Sequence, residues 1–110
     1  MSMAEDLTAR LRPLMAGMDG ITEQRMFGGW SFMLHGNMLV GAMKDGTLLV
    51  RVSPERTGDA LSQPGATLMT MGTRQMKGFI GVTGSAIDDD EGLARWIAYA
   101  EPYVRTLPRK

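Results

Sequence analysis

The sequence predicts an α+β fold, in which helices pack on a central, mostly antiparallel sheet of about five strands. Apolar residues recur at helical spacing near both ends of the chain. In between, they alternate with polar residues or form short runs bounded by turn residues. The predicted order of elements is α-β-β-β-α-β-β-α. Because 110 residues suit one hydrophobic core, residues 1–110 are expected to form a single domain.

The first helix is predicted over residues 4–18, where five apolar side chains share one face: Leu7, Leu11, Leu14, Met15 and Met18. Pro13 lies inside this stretch. It should kink the helix or end its first part, because proline removes a backbone hydrogen bond and clashes with the preceding turn. Asp19 and Gly20 then indicate a turn.

Three strands joined by tight turns should follow as an antiparallel meander. Trp30, Phe32 and Leu34 stand at every second position, which predicts a strand with one strongly apolar face. The Gly-Asn pair at 36–37 predicts a two-residue hairpin turn into a second strand, MLVGAMK. The Asp-Gly pair at 45–46 predicts the turn into a third strand, TLLVRVS.

A short helix and two more strands are predicted next. Ser53 and Pro54 suit the N-cap and the first position of a helix that ends near Leu61. The segments ATLMTM and KGFIGVT predict two strands separated by a loop.

The last helix is predicted to begin after the acidic run at residues 88–91, whose carboxylates can cap free amides at a helix start. Its buried face should contain Leu93, Trp96, Ile97, Ala100 and Val104. Pro102 should bend or shorten the last turns, and the basic tail LPRK should fray.

Composition argues against several classes of function. The chain has no cysteine, which excludes disulfides and thiol chemistry. Twelve basic residues balance twelve acidic ones, so direct DNA binding by this chain alone is not expected. No apolar stretch approaches the roughly 20 residues of a membrane-spanning helix, and the N-terminus is unlike a secretory signal. We therefore expect a cytoplasmic protein without membrane association.

The glycine-rich segments do not match patterns of catalysis or nucleotide binding. Residues 36–44 have the glycine spacing of a phosphate-binding loop, but Ala42 and Met43 stand where that loop needs lysine and serine or threonine. Ser31 has Gly29 on one side, but Met33 occupies the second glycine position of a nucleophile elbow. The acidic run at 88–91 lacks the ligand spacing of a calcium loop. No catalytic, cofactor-binding or metal-ligating residue is therefore predicted.

Several short motifs, in order, resemble the TfoX (Sxy) N-terminal domain family. They are RMFGG at 25–29, GNM, DG, LLVRVSPE, MKGF at 76–79 and DDDEGLARWI, and the resemblance covers essentially the whole chain. It implies an α+β fold and a distant link to the regulation of natural competence. The chain resembles a stand-alone form without the helical C-terminal domain of longer members. The resemblance implies no catalytic residues.

These observations favour a non-enzymatic regulatory or protein-interaction domain with an unidentified protein partner. The alternative is a small-ligand-binding protein or an enzyme that uses the surface around the RMFGG and MKGF segments. The candidate surface residues are Arg25, Phe27, Gly28, Gly29, Lys77 and Gly78. The two glycines at 28–29 could form an anion-binding nest beside Arg25. A bulge at the start of a strand is favoured, because a phosphate-binding loop would lead into a helix.

A homodimer is also expected, because the second and third predicted strands carry apolar residues on both faces. In the second strand, Met38, Val40 and Ala42 should share one side, while Leu39 and Met43 share the other. A sheet with one buried face should instead show polar alternation. Either the helices or a two-fold partner could cover the second face.

Overall fold

A six-stranded antiparallel sheet and three α-helices make up the described part of the protein. The structure, a computed structural model, describes residues 2–26, 28–71 and 73–110, without the side chains at positions 71 and 74–77. The helices are α1 (Met3–Met15), α2 (Thr57–Leu61) and α3 (Asp90–Arg105). The strands are β1 (Ile21–Met26), β2 (Gly29–Leu34), β3 (Asn37–Ala42), β4 (Leu48–Arg51), β5 (Ala66–Met71) and β6 (Arg74–Val82). The order across the sheet is β1-β2-β3-β4-β6-β5, which confirms the α+β class.

The described residues contain one strand more than the five or so predicted, and the additional strand is β1. Its sequence, ITEQRM, has four polar residues in the middle and no apolar alternation. Those four residues are exposed, because β1 lies at an edge of the sheet, where a strand needs no apolar face. β1 pairs with β2 so that Met26 lies opposite Gly29.

Neither helical proline ends its helix. Pro13 and Pro102 lie inside α1 and α3, which continue to Met15 and Arg105. The predicted alternative in which Pro13 ends the first part of the helix is therefore wrong, and the predicted kink stays a prediction. Both prolines lie in the last turn of their helix. Proline has no backbone N–H, so one hydrogen bond is lost there, but the preceding turns keep theirs.

The acidic run before α3 caps the helix, as predicted. Asp89 is the N-cap residue, and its Oδ1 accepts a hydrogen bond of 2.8 Å from the backbone N–H of Gly92. Asp90 pairs with Arg10 of α1, with 3.2 Å between Arg10 Nε and Asp90 Oδ1. The run therefore starts α3 and joins it to α1.

The β2–β3 hairpin is confirmed, but its turn residues are His35 and Gly36 rather than the predicted Gly36 and Asn37. Both turn residues have positive φ, 51° and 84°. Asn37 is buried instead, and its Nδ2 donates a hydrogen bond of 2.8 Å to the carbonyl oxygen of Pro108. The N–H of Lys110 donates to the carbonyl oxygen of His35 at 3.0 Å. The prediction of a frayed tail is therefore wrong, since this hairpin holds it.

A bulge in β3 changes which side of the sheet its residues face. Phe32 lies opposite Val40 and Met33 lies opposite Met38, so Leu39 is an extra residue between the two pairs. Leu39 and Val40 both belong to the main core, whereas Met38 does not. The predicted alternation, with Met38 beside Val40, is therefore wrong, because a bulge shifts the register by one residue.

Candidate functional site

The two sides of the sheet are covered differently. On one side, buried hydrophobic residues of α1, α2 and α3 form a single cluster with strand residues such as Val40, Val50 and Ile80. We call this the helix side. Within the described part of the chain, Met38 and Leu49 are the only buried hydrophobic residues outside that cluster. Leu49 faces the opposite side, because side chains alternate along β4.

The opposite side of the sheet carries a methionine-rich surface, which we call the methionine face. Strand register and side-chain alternation assign to it Ser31, Met33, Met38, Gly41, Leu49, Thr67, Met69, Phe79 and Gly81. These residues come from β2, β3, β4, β5 and β6. The face therefore extends across most of the sheet.

At the centre of the methionine face, one leucine lies between two glycines, one on each neighbouring strand. Leu49 lies opposite Gly41 on β3 and opposite Gly81 on β6. A Cβ atom at Gly41 would lie 3.1 Å from Met38 Cε, and one at Gly81 would lie 2.6 Å from Met69 Sδ. The two methionine side chains therefore occupy the space above the glycines, beside Leu49.

Flexible thioethers, rather than a helix, cover this part of the sheet. Leu49 is only 1% exposed and Met38 5%, although both lie outside the cluster that contains the buried residues of the helices. Met33 and Met69 are half-buried at the margins of the methionine face. Methionine has three rotatable bonds and a polarisable sulfur, so this surface can change shape when something packs against it.

A cation borders the methionine face. Arg51 on β4 lies opposite Phe79 on β6, and its guanidinium carbon is 5.3 Å from the centre of the Phe79 ring. A cation at this distance from an aromatic face is attracted to it electrostatically. The contact holds a positive charge at one end of the methionine face.

A separate cleft lies on the helix side, between α1 and the β1–β2 hairpin. It has a volume of about 460 Å³ and is lined by Glu5, Thr8, Ala9, Arg12, Arg25 and Trp30. The guanidinium carbon of Arg25 lies 5.6 Å from the centre of the Trp30 ring. An aromatic ring with arginines beside it could hold a planar or anionic group.

One arginine of this cleft already has a carboxylate partner. Arg12 Nε lies 2.9 Å from Glu23 Oε2, and Arg12 Nη2 lies 2.9 Å from Glu23 Oε1. These hydrogen bonds lower the pKa of the Glu23 carboxyl below its ordinary value. The pair ties α1 to the edge strand β1.

The two glycines of the RMFGG segment have structural roles at the β1–β2 turn. Gly28 has a φ of 74°, which favours glycine. A Cβ atom at Gly29 would collide with the carbonyl oxygen of Ala42. The pair thus belongs to a hairpin turn, and the predicted bulge at the start of the sheet is wrong because β1 precedes it. Phe27 lies outside the described residues.

The RMFGG and MKGF segments do not meet. Gly29 is at one end of β2, and Gly78 is near the opposite end of the sheet, three strands away in β6. With about 3.3 Å per residue and about 4.8 Å between strands, the two glycines are about 20 Å apart. Gly78 has a φ of 82° and packs near the carbonyl oxygen of Val52. The side chain of Lys77 is outside the description. Ligand binding at either segment stays a prediction.

The acidic and histidine side chains do not form a metal site in the described residues. No three of them come together in a way that could hold an ion. Across residues 2–26, 28–71 and 73–110, no helix is long and apolar enough to cross a membrane.

Fold and surface together define a small α+β domain with helices on one side of an antiparallel sheet and a methionine-rich surface on the other. The chain belongs to the TfoX N-terminal domain family, which matches residues 13–102. No curated protein and no solved structure is similar enough to the chain to add to this assignment.

Sequence reasoning found only part of this surface. It identified the apolar residues on both faces of the second and third predicted strands. It missed the central contribution of Gly41 and Gly81, because no short pattern shows that Met38 and Met69 lie over them. The available signal was a glycine inside an apolar strand, since such a glycine often marks a place where another group approaches the backbone closely.

Proposed function

We propose that this protein is a non-enzymatic, regulatory interaction domain whose methionine face binds a protein partner. The observation that carries the proposal is the position of Leu49. It lies at the centre of the methionine face, on the side of the sheet opposite the helix cluster. Leu49 itself is only 1% exposed, so the half-buried Met33 and Met69 beside it would make the contacts, and methionine at a surface suits adaptable binding.

The shape of the surface fits a protein better than a small molecule. Small-ligand sites are concave and bury most of their ligand. The methionine face extends over five strands. The space above Gly41 and Gly81 is occupied by the side chains of neighbouring methionines, so no cavity is left there. Arg51, held over Phe79 at the border, offers a positive charge to an acidic group on the rim of the partner.

Prominent polar groups of the described chain already serve its architecture. Asp89 caps α3, Asn37 holds the C-terminal tail, and Glu23 binds Arg12. These contacts support a domain that acts by presenting a surface. The family assignment supports a regulatory role, and both a link to competence and a cytoplasmic location remain part of this proposal.

The proposal is tested by placing charge on the half-buried margin of the methionine face. We expect Met33→Lys and Met69→Lys each to weaken binding of a partner captured from the native cell by about tenfold or more. The captured protein is purified and its affinity is measured by titration. Met3→Lys is the matched control, since Met3 is a 62% exposed methionine on α1.

Thermal unfolding of each variant must show that it is folded. Unchanged affinity in both folded methionine-face variants, or equal loss in Met3→Lys, would overturn the proposal. Loss in the two face variants with full binding by Met3→Lys would support it.

A further inference from the structure

The edge strand β1 offers a surface that goes beyond the proposed protein-binding face. β1 is the first strand of the sheet order, and its four central residues, Thr22 to Arg25, are exposed. We propose that two copies of this chain pair through β1 in one antiparallel register, with Glu23 of each copy opposite Arg25 of the other. The pairing would continue the sheet from one copy into the next.

The hydrogen bonds between β1 and β2 determine which backbone groups of β1 face outward. The N–H of His35 donates to the carbonyl oxygen of Gly20 at 2.9 Å. From this bond onward, antiparallel pairs alternate between bonded and non-bonded positions. Gly20, Thr22 and Gln24 therefore bond toward β2, whereas the N–H and C=O groups of Ile21, Glu23 and Arg25 point away from the sheet.

An incoming strand must bond to these outward groups, which leaves few two-fold registers. A two-fold axis at Glu23 would place two carboxylates opposite each other, and an axis at Arg25 would place two guanidinium groups opposite each other. An axis at Thr22 would place Glu23 opposite the apolar Ile21, which gives no charge pair within β1. An axis at Gln24 instead creates two Glu23–Arg25 pairs. Opposite charges across a strand pair stabilise it and like charges destabilise it, so the charges select the axis at Gln24.

The side chains fit this register on both sides of the sheet. Glu23 and Arg25 both point to the helix side, where Glu23 binds Arg12 and Arg25 lies over Trp30. Glu23 of one copy would then lie between Arg12 of its own chain and Arg25 of the second copy. A carboxylate has enough acceptor positions for both. On the other side, the Gln24 amides of the two copies would face each other.

The charges on β1 are self-complementary, which distinguishes β1 from an edge strand whose charges only prevent pairing with other strands. Charged residues on an edge strand normally discourage pairing with other strands. Two residues of like charge, two positions apart on the strand, would repel the same residues of a second copy. Glu23 and Arg25 have opposite signs at that spacing, so they oppose unrelated strands but match a second copy in a two-fold arrangement.

Charge reversal tests the register. Sedimentation equilibrium of the wild-type chain should give a mass near twice the 12.0 kDa of one chain at micromolar concentrations. We expect Glu23→Arg and Arg25→Glu each to raise the dimer dissociation constant by about tenfold or more, since each creates two like-charge pairs. Because Glu23→Arg would also face Arg12 of its own chain, the double variant E23R/R25E is made together with Arg12→Gln. It restores opposite charges between the copies and should return the constant to within about threefold of that of Arg12→Gln alone.

Two controls separate pairing from folding. Circular dichroism must show that every variant is folded. Arg12→Gln removes the partner of Glu23 within the same chain but leaves the β1–β1 contact, so it should keep the dimer. A wild-type chain that stays at the mass of one copy up to high micromolar concentration would overturn the proposal. The proposal would also be overturned if the single charge reversals left the dimer dissociation constant unchanged. The same holds if the folded double variant did not recover its dissociation constant.

Discussion

The helix side of the sheet and the methionine face bury leucine in different ways. Leu48 belongs to the cluster that includes residues of all three helices, and it is fully buried. The next residue, Leu49, is buried to almost the same extent under methionine side chains that lie over two glycines. Helices hold the first residue in a fixed environment, whereas flexible side chains surround the second. Similar burial can therefore serve stability on one side and adaptable binding on the other.

The largest expected effect compares these two neighbouring leucines. We expect Leu48→Ala to lower the free energy of unfolding by about 4 kcal/mol, because the helix-covered core cannot close around the cavity. Leu49→Ala should cost about 2 kcal/mol, because Met38 and Met69 can move into the space. Urea unfolding of both variants measures the difference. Equal losses would show that the methionine face is packed as rigidly as the helix side.

Two buried glycines give the next comparison. A Cβ atom at Gly29 would strike the carbonyl oxygen of Ala42, which belongs to a paired strand. We expect Gly29→Ala to lower stability by about 3 kcal/mol, since the backbone must shift. At Gly81 the nearest obstacle is the Met69 sulfur, which can rotate away, so Gly81→Ala should cost less than about 1 kcal/mol. Thermal unfolding of the pair checks this. A cost at Gly81 as large as at Gly29 would contradict the assigned mobility of Met69.

The smallest expected effect concerns the acid sensitivity of the helix side. Arg12 lowers the pKa of Glu23 in the folded state, so the pair contributes stability above the unfolded pKa and loses it as the pH falls through the folded pKa. Wild type should therefore lose more stability than Glu23→Gln between pH 7 and acid pH, by the small amount expected of an exposed ion pair. Urea unfolding across this pH range, at one protein concentration, measures it. Parallel pH profiles would show that the ion pair does not contribute in solution.

Local patterns were sufficient to predict the class of fold. The helical spacing of Leu93, Trp96 and Ile97 and the alternation of Trp30, Phe32 and Leu34 both led to the observed α3 and β2. β1 could not be predicted in this way, because an edge strand is specified by its partner strand rather than by an apolar face of its own. The tail was also misjudged, since its hydrogen bonds with His35 and Asn37 join residues about seventy positions apart.

The candidate surface was harder to predict than the fold. Strand alternation correctly suggested that both faces of β3 carry apolar residues, but the bulge at Leu39 changed which residues share a side. Gly81 became informative only once β6 was paired with β4 and Met69 lay above it. Such contacts depend on long-range register, which no local window contains.

The most direct test of the central claim, that the methionine face binds a protein partner, is an NMR titration of chain labelled at its methionine methyl groups. The purified captured partner is added, and the signals are assigned by single substitutions. We predict that the methyl signals of Met33, Met38 and Met69 shift or broaden on binding. Met15, which is buried on the helix side, should keep its position. Changes at Met15 and Met3 with none on the methionine face would contradict the account.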